Sequence, residues 1–311
     1  MAPASSILEL IGETPMVRLR NLPGEECADV FVKLEFLNPG GSVKDRIGIG
    51  MIRAAERSGI LEPGATIIEP TAGNTGVALA LAGVQLGYKV ILVVPEQFSV
   101  EKRTLMRALG GEVVLTSEEG GMKEAIGKAE EIGKGIPGSW VPQQFRNRFN
   151  SDAHYETTGP EIFEQMEGRV DGFVAGSGTG GTFTGVARYL RERLPSVATA
   201  VVETEGSVLA GGEAGPHDVE GIGSSFIPEV LDLSLADRIV MVNDAPAFEM
   251  VCRLAREEGI LGGSSAGANV VAALELSREL GPGKRVVTLI PDSGERYLSK
   301  EIYTRSRRQA S

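Results

Sequence analysis

The sequence predicts an α/β protein with two lobes, each built on a mostly parallel sheet flanked by helices. Its 311 residues are about twice the ~150 that one domain usually takes. Apolar segments of strand length alternate with helical patterns along most of the chain, an order typical of parallel sheets. Glycine supplies 41 of the residues, which indicates many tight turns or places where the backbone closely approaches a ligand.

The first half of the chain consists of strand segments that are each followed by a helical segment. The strand segments are rich in β-branched residues, and the helical segments repeat apolar positions every three or four residues. Strands are predicted at 29–36, 66–70, 89–95 and 112–116, and helices at 42–59, 74–87, 99–111 and 122–134. The segment 137–153 is polar, aromatic and irregular, which predicts the boundary between the lobes there.

The second half repeats this alternation and places glycine-rich turns after several strands. Strands are predicted at 171–176, 198–203, 237–242 and 285–291, and helices at 181–194, 245–259 and 265–280. In open parallel sheets, ligands bind where the strands end, because the N-termini of the following helices converge there. The turns at the strand ends are therefore the candidate ligand sites.

The composition excludes several classes of function. The chain has 31 Lys and Arg against 42 Asp and Glu, and the resulting net charge of -11 repels nucleic-acid phosphates and anionic membranes. No apolar run reaches the length of a membrane span, and Cys27 and Cys252 form no CxxC pair. With only two histidines, a metal centre is not expected. We expect His154 to be a packing or cap residue, His217 to be solvated, and the protein to be cytoplasmic.

One turn carries a phosphate-binding pattern with two functional interpretations. The segment GSGTGGT, residues 176–182, follows a strand and opens a helix, and Gly176, Gly178 and Gly181 satisfy the dinucleotide pattern G-x-G-x-x-G. Glu203, about 20 residues further on, fits the acidic residue that holds a ribose hydroxyl. The same backbone N–H groups would equally hold one phosphate monoester. A structural turn without a ligand is the third possibility, and this loop alone does not decide among them.

A lysine at the start of the first helix is a candidate nucleophile. The segment KLEFLNPGGSVKDR, residues 33–46, predicts a strand, a Pro-Gly-Gly turn and a helix with Ser42 as its N-cap and Asp45 in a capping box. Lys44 then lies in the first turn, where its charge opposes the helix dipole. Such a position favours the neutral amine that forms Schiff bases.

Eight segments of the chain form an ordered set of motifs. They are IGETPMVRL (11–19), KLEFLNPGGSVKDR (33–46), EPTAGNTG (69–76), VPEQFSVEKR (94–103), QQF (143–145), GTGGT (178–182), GGSSAG (262–267) and PDSGERYLS (291–299). With them the chain, from residue 7 to 303, resembles the fold-type II pyridoxal 5'-phosphate (PLP) enzymes of the cysteine synthase and cystathionine β-synthase family. The motifs are most similar to those of bacterial cystathionine β-synthase-like members. The resemblance implies a tryptophan synthase β-like fold and decides against a dinucleotide.

The family resemblance also implies how the lobes are divided. Residues 44–150 would form a smaller, mobile lobe with the substrate-carboxylate loop, and residues 1–43 with 151–311 a larger lobe that holds the cofactor phosphate. A homodimer is implied as well. The alternative of a catalytically inactive homologue that serves as a regulatory subunit is disfavoured, because Lys44, Asn74, GTGGT and Ser265 are all present.

The resemblance assigns the cofactor contacts residue by residue. Lys44 would join PLP through a Schiff base, and Asn74 would hydrogen-bond its phenolic oxygen. Ser265 would face the pyridine nitrogen, where a neutral hydroxyl favours β-elimination over carbanion chemistry. The phosphate would be held by Gly178, Thr179, Gly180, Gly181 and Thr182.

The resemblance likewise assigns the binding of the amino-acid carboxylate. Its ligands would come from the N-terminus of the helix at 74–87 and from Gln144, which completes the grip. The residues of the loop are Thr71, Ala72, Gly73 and Thr75. Many family members have serine where Ala72 stands, so one hydroxyl is missing from this loop.

The implied reaction is β-replacement on serine or O-acetylserine through an aminoacrylate intermediate, with Lys44 as the base. The acceptor is indicated by VEGIGSSFIPEVLD, residues 219–232, where Glu220 and Gly221 resemble the cystathionine β-synthases. A carboxylate there would attract the ammonium of homocysteine, whereas sulfide offers nothing for it to recognise. Cystathionine formation is therefore favoured, and the alternative is a cysteine synthase that uses O-acetylserine and sulfide.

Overall fold

A computed structural model of the chain describes residues 3–71 and 73–304. Its strands are β1 Met16–Arg18, β2 Asp29–Leu34, β3 Thr66–Pro70, β4 Lys89–Pro95, β5 Glu112–Thr116, β6 Gly172–Gly176, β7 Ala198–Glu203, β8 Arg238–Met241 and β9 Arg285–Ile290. Its α-helices are α1 Lys44–Arg57, α2 Asn74–Gln85, α3 Val100–Ala108, α4 Gly121–Gly135, α5 Phe149–Glu156, α6 Thr158–Gln165, α7 Gly181–Arg193, α8 Asp244–Arg253 and α9 Ser264–Leu280. Short 3-10 helices lie at Ile7–Leu10, Glu35–Leu37, Leu233–Leu235 and Gly294–Lys300.

The chain divides into two compact units. The smaller unit comprises the described part of Met1–Ile11 together with Asn38–Asn150, and the larger comprises Gly12–Leu37 with the described part of Ser151–Ser311. Within the described residues, each unit contains one sheet, and helices pack on both sheets. The sheet of the smaller unit is parallel throughout, and that of the larger unit is parallel except at one edge strand. The predicted α/β fold class is therefore confirmed, whereas mobility of the smaller lobe stays a prediction.

In the smaller unit, the described residues form a parallel sheet in the order β3-β4-β5. Strand β3 is buried along its whole length, as expected for a parallel strand that helices cover on both faces. Helix α1 approaches α2 closely, because an added Cβ on Gly48 would lie 2.8 Å from the Ala78 Cβ. The other side of β3 pairs briefly with Trp140, whose N–H donates to Thr66 O at 2.8 Å. That pairing fixes the segment that leads to Gln144.

In the larger unit, the described residues form a six-stranded sheet in the order β1-β2-β9-β6-β7-β8. Only the edge strand β1 is antiparallel to its neighbour within this sheet. Helix α9 is buried along most of its length and packs on the sheet and on α8. An added Cβ on Gly267 would lie 2.1 Å from the Ala247 O, so this glycine permits the close packing of the two helices.

Three regions differ from the elements that the sequence predicts. Strand β1 has only three residues, too few for a recognisable alternation. Helix α5 begins inside the segment 137–153, which is expected to be irregular. The start of α5 is marked by Asn147, whose Oδ1 accepts from the Phe149 N–H at 3.0 Å; asparagine before a helix was the available signal. The helix expected at 245–259 continues past α8 as the π-helix Leu254–Glu258.

Candidate active site

The predicted site residues fall into two groups, one in each unit, and each group is described by itself. The smaller unit contains Lys44, the turn at 71–75 and Gln144, and the larger unit contains the turn at 178–182, Ser265 and Glu220. Of these positions, Ala72 lies outside the described residues.

Lys44 is the first residue of α1, and the predicted capping box is wrong in detail. Val43 occupies the N-cap position and makes no side-chain cap bond. Ser42 is one residue further from the helix, and its Oγ accepts from the Lys44 N–H at 3.3 Å. The Asp45 carboxylate accepts from the Gly40 N–H at 2.5 Å instead of reaching Ser42. The Pro-Gly-Gly turn is thus tied to the first turn of α1, which fixes the backbone of Lys44.

The turn at 71–75 joins β3 to α2 and brings its predicted ligands together. The Thr71 Oγ1 accepts from the Gly73 N–H at 3.2 Å, and the Thr75 hydroxyl donates to the Gln144 Oε1 at 2.6 Å. Asn74 is the first residue of α2, whose first turn contains no acidic residue. A helix N-terminus of this kind attracts an anion such as a carboxylate.

Glu69, which sequence reasoning missed, supports Gln144 from β3. Its carboxylate is fully buried and accepts from the Gln143 N–H at 2.9 Å and from the Gln144 N–H at 3.1 Å. Burial raises the pKa of Glu69 to about 8, against the two N–H groups that lower it. The Asn150 amide adds a bond of 2.8 Å to the Gln144 O. The available signal was a glutamate within the otherwise apolar segment TIIEP.

Lys102 is a second residue that sequence reasoning missed. Its side chain is only 3% exposed and packs against the turn at 71–75. A Cβ added to Gly73 would lie 2.4 Å from the Lys102 Cδ and 3.2 Å from its Nζ. A buried cation therefore lies beside the loop that was predicted to hold a carboxylate. Its position within the motif VPEQFSVEKR gave no hint of that contact.

In the larger unit, the turn at 178–182 joins β6 to α7. Gly180 is the N-cap and has a left-handed φ of 81°, which favours glycine. An added Cβ would lie 2.5 Å from the Leu231 Cβ at Gly180, and 2.2 Å from the Gly221 O at Gly178. The first turn of α7 also lacks acidic residues. Backbone N–H groups at such a helix start suit a phosphate.

His154 and Glu203 support this region and are not exposed to a ligand. His154 is fully buried, with its Nε2 at 3.1 Å from the Thr182 Oγ1 and its Nδ1 at 2.8 Å from the Thr158 Oγ1. The packing role expected of this histidine agrees with that position. Glu203 is also fully buried, and its carboxylate accepts from the N–H groups of Leu209 and Ala210, both at 3.1 Å. It is therefore occupied by a loop rather than placed for a ribose.

Ser265 lies in the first turn of α9 beside the Glu220 segment. Its side chain is 4% exposed, and its Oγ would lie 3.8 Å from a Cβ added to Gly221. The neighbouring Ser264 Oγ accepts from the Glu220 N–H at 2.9 Å. Ser224 donates to the Gly178 O at 2.8 Å. The structure thus brings the Glu220 segment, the start of α9 and the turn at 178–182 together.

The Glu220 segment is held by His217, and the expectation that His217 is solvated is wrong. The ring nitrogens of His217 lie 2.9 Å from the Val219 O and 3.0 Å from the Gly223 O, so the imidazole spans the turn. The side chain of Glu220 is 11% exposed, and its Oε1 lies 2.5 Å from the Lys300 Nζ. This carboxylate therefore has a cationic neighbour that the motif did not reveal.

Metal clusters and membrane-spanning helices are both absent from the described residues. Among residues 3–71 and 73–304, no cluster of three or more His, Cys, Asp or Glu side chains is arranged to hold a metal ion. Within the same residues, none of the helices combines the length and the apolar character needed to cross a membrane.

Comparison with known proteins defines the class. The family model "Pyridoxal-phosphate dependent enzyme" matches residues 7–292, and the chain belongs to that family. A "Cysteine synthase" of Staphylococcus aureus is 49% identical over 304 residues, with 97% of this chain and 98% of the relative covered. An "O-acetylserine dependent cystathionine beta-synthase" of Bacillus subtilis is 48% identical over 303 residues, with 97% and 99% covered.

A solved structure extends this comparison to the fold. The O-acetylserine-dependent cystathionine β-synthase of Helicobacter pylori superposes with a TM-score of 0.93 at 46% identity and covers 97% of this chain and 100% of its own. Within the PLP family, the chain is thus an enzyme of the cysteine synthase and cystathionine β-synthase group. The expected family, fold type and cofactor, PLP, are confirmed.

Proposed function

We propose that this enzyme replaces the β-substituent of O-acetylserine with the sulfur of homocysteine and forms cystathionine. The donor is chosen because the Bacillus subtilis and Helicobacter pylori relatives are named as O-acetylserine-dependent; serine remains the second donor to test. One observation carries the choice of acceptor. The mostly buried carboxylate of Glu220 is fixed beside the start of α9, where it would attract an ammonium group.

The turn at 178–182 fits the phosphate of PLP. It offers main-chain N–H groups at the positive end of α7, hydroxyls at Thr179 and Thr182, and no acidic residue in the first helical turn. Ser265 fits the pyridine nitrogen because it is a neutral hydroxyl at the buried start of α9. In the smaller unit, Asn74 is proposed to bind the phenolic oxygen. The bound cofactor supplies an electron-withdrawing group that weakens the Cα–H bond of the attached amino acid.

In the smaller unit, Lys44 is proposed to form the covalent link to the cofactor and to transfer the Cα proton of the substrate. Its amine holds the cofactor in the resting enzyme, and once displaced by the amino acid it accepts the Cα proton and later returns it. The N-terminus of α2 with Thr71, Gly73 and Thr75 is proposed to bind the substrate carboxylate. Ala72, which lies outside the described residues, is proposed to belong to the same set of ligands. Gln144, already bonded to Thr75, would complete that grip.

A second candidate is a cysteine synthase that uses sulfide as the acceptor. The Staphylococcus aureus relative with that name favours it at 49% identity. Both reactions share the same donor half, so the residues of the smaller unit do not separate them. The difference lies in Glu220 and Gly221, since sulfide lacks a group that a carboxylate would recognise.

The deciding experiment measures product formation with homocysteine and with sulfide, each with O-acetylserine and with serine. We expect cystathionine from homocysteine, and we expect Glu220→Gln to lower kcat/KM for homocysteine about 10- to 100-fold, as for loss of a charge-assisted bond. Turnover with sulfide should be nearly unchanged. Glu213→Gln, at an exposed glutamate of the same unit, is the matched control. Absence of cystathionine with the wild-type enzyme would move the chain to the cysteine synthases.

The proposed active form is a homodimer, as the family resemblance implies. Light scattering coupled to size-exclusion chromatography should give about twice the monomer mass. A monomer with full activity would contradict this part of the proposal.

A further inference from the structure

The ion pair between Glu220 and Lys300 contains an acid that is mostly buried. The two charged atoms lie 2.5 Å apart, and the side chains are 11% exposed for Glu220 and 32% for Lys300. A nearby cation offsets part of the cost of removing such a carboxylate from water. The lysine is the more accessible partner, so it lies on the side from which a solute would arrive.

Both members of the pair are held by the same turn of the larger unit. The Glu220 N–H donates to the Ser264 Oγ at 2.9 Å, at the start of α9. Lys300 ends the 3-10 helix Gly294–Lys300, and the Gly294 N–H donates to the Leu261 O at 3.0 Å. The residues around 261–264 therefore fix the backbone on both sides of the ion pair.

The surroundings of the pair contain charges of both signs. The Tyr297 hydroxyl donates to the Asp292 Oδ2 at 2.5 Å. Burial, together with the charges of Asp292 and Glu220, raises the pKa of Tyr297 well above its usual value, and the charge of Arg296 acts in the opposite direction. Two carboxylates and the two cations Arg296 and Lys300 therefore act at this corner. Such a mixed surface attracts a ligand that carries both charges.

We propose that Glu220 and Lys300 together form the acceptor subsite, with Glu220 binding the α-ammonium and Lys300 the α-carboxylate of homocysteine. The inference rests on the proposed function and adds a residue that recognises the carboxylate of homocysteine. An α-amino acid carries its two opposite charges on one carbon, so adjacent side chains of opposite charge complement both. A carboxylate has several acceptor positions and an ammonium three donors, so each can contact its partner and a ligand together.

The structure also explains how the acceptor would lie close to the chemistry. Gly221 follows the acid directly. Among the described residues other than its two chain neighbours, Ser265 alone has an atom within 4 Å of a Cβ added to Gly221, its Oγ at 3.8 Å. Room is thus left beside the serine that is proposed to face the cofactor ring. A bulkier residue at Gly221, which has a φ of 91°, would be strained and would occupy that space.

The test uses four thiol acceptors with O-acetylserine as the donor. They are homocysteine, 4-sulfanylbutanoate, which lacks the amine, 3-sulfanylpropan-1-amine, which lacks the carboxylate, and sulfide. Lys300→Gln should raise KM about tenfold or more for the two thiols with a carboxylate, the loss expected for one charge-assisted bond, and leave the other two nearly unchanged. Glu220→Gln should instead affect the two thiols with an amine. Lys300→Arg should retain most of the homocysteine activity.

Lys284→Gln is the matched control, because Lys284 forms an ion pair of 2.9 Å with Asp171 in the same unit. Equal losses with all four acceptors in Lys300→Gln would overturn the inference and assign Lys300 a purely structural role. A gain with homocysteine would also overturn it, since Lys300 would then compete with the substrate. If the wild-type enzyme uses homocysteine, either of these two results with Lys300→Gln contradicts only the acceptor subsite and not the proposed function. Absence of homocysteine turnover in the wild-type enzyme overturns both.

Discussion

The turn at 71–75 and the turn at 178–182 are built alike but supported differently. Each joins a parallel strand to a helix, each has glycine at the N-cap, and neither helix has an acidic residue in its first turn. In the smaller unit, the buried cation of Lys102 and the buried carboxyl group of Glu69 support the turn and its partner Gln144. In the larger unit, the contact of Thr182 with the buried His154 takes that place.

The difference teaches that a shared backbone motif does not determine the charge of its surroundings. Helix N-terminal N–H groups attract an anion in both turns, so the motif accounts for the sign of the ligand. The supporting residues come from elsewhere in the chain: Lys102 is on α3, Glu69 on β3 and His154 on α5. We infer that the carboxylate turn depends on charge and the phosphate turn on hydrogen-bond geometry. Variants in each turn test that separation.

The largest effect is expected from Lys44, which the proposal assigns to chemistry rather than to support of a turn. Lys44→Ala should lower turnover by at least about 10²–10⁴-fold, the contribution of a positioned acid-base group. The phosphate turn in the other unit is unchanged, so PLP should still bind, now without a covalent link. Visible absorbance, retention of PLP on dialysis and circular dichroism measure the link, the binding and the fold. Turnover like that of the wild type would remove Lys44 from the mechanism.

The next test removes the buried acid beneath Gln144. Because the pKa of Glu69 in the folded protein is about 8, above the ordinary 4.5, the folded state keeps a proton that the unfolded chain has lost. The contribution of this proton to the free energy of unfolding is complete below about pH 4.5. It is lost as the pH rises to about 8, at up to ~1.4 kcal/mol per pH unit. Glu69→Gln should flatten this part of the curve of unfolding free energy against pH, measured by urea denaturation.

Glu203→Gln is the matched variant for that experiment, because Glu203 is also fully buried and also accepts from two successive backbone N–H groups. This variant measures how much unfolding free energy is lost when an amide replaces a buried acid that accepts from two backbone N–H groups. If the wild-type enzyme and Glu69→Gln lose stability in parallel between pH 5 and 8, Glu69 is ionised throughout and its two N–H bonds outweigh burial.

Lys102 provides the direct test of charge at the carboxylate turn. Lys102→Met keeps much of the volume of the side chain against Gly73 but removes the cation, and should raise KM for O-acetylserine by about 10- to 100-fold, equivalent to ~1.5–3 kcal/mol. PLP affinity should be unaffected. Lys128→Met, at an exposed ion pair on α4 of the same unit, is the control. A fall in kcat without a change in KM would show that Lys102 does not bind the donor.

Sequence reasoning located the backbone of both turns but not these supports. Lys44, the two glycine-rich turns and Ser265 lie in contiguous motifs, and contiguous motifs specify local backbone geometry. Lys102 and Lys300 make their contacts with segments that are distant in the sequence. From the sequence alone, a lysine in either position is expected to be a solvated surface residue. The predicted capping box of α1 is wrong for a related reason. The Asp45 carboxylate accepts from the Gly40 N–H in the preceding turn rather than from Ser42.

The smallest effect is expected at the phosphate turn, from Thr182. Its Oγ1 lies 3.1 Å from the His154 Nε2, and loss of one neutral hydrogen bond costs about 0.5–1.5 kcal/mol. Thr182→Val should therefore weaken PLP binding by about two- to tenfold, measured by titrating the apo-enzyme with PLP and following its visible absorbance. KM for O-acetylserine at saturating PLP should stay unchanged.

Thr184→Val controls for removal of a hydroxyl from the same helix. Thr184 lies two residues further along α7, and its Oγ1 accepts from the Asp232 N–H at 2.9 Å. The variants Lys102→Met and Thr182→Val then sharpen the comparison. The first should change only KM for O-acetylserine, and the second only the affinity for PLP. A rise in the donor KM for Thr182→Val as large as that for Lys102→Met would mean that the two turns do not act separately. The two kinds of support would then have to be treated as one coupled site.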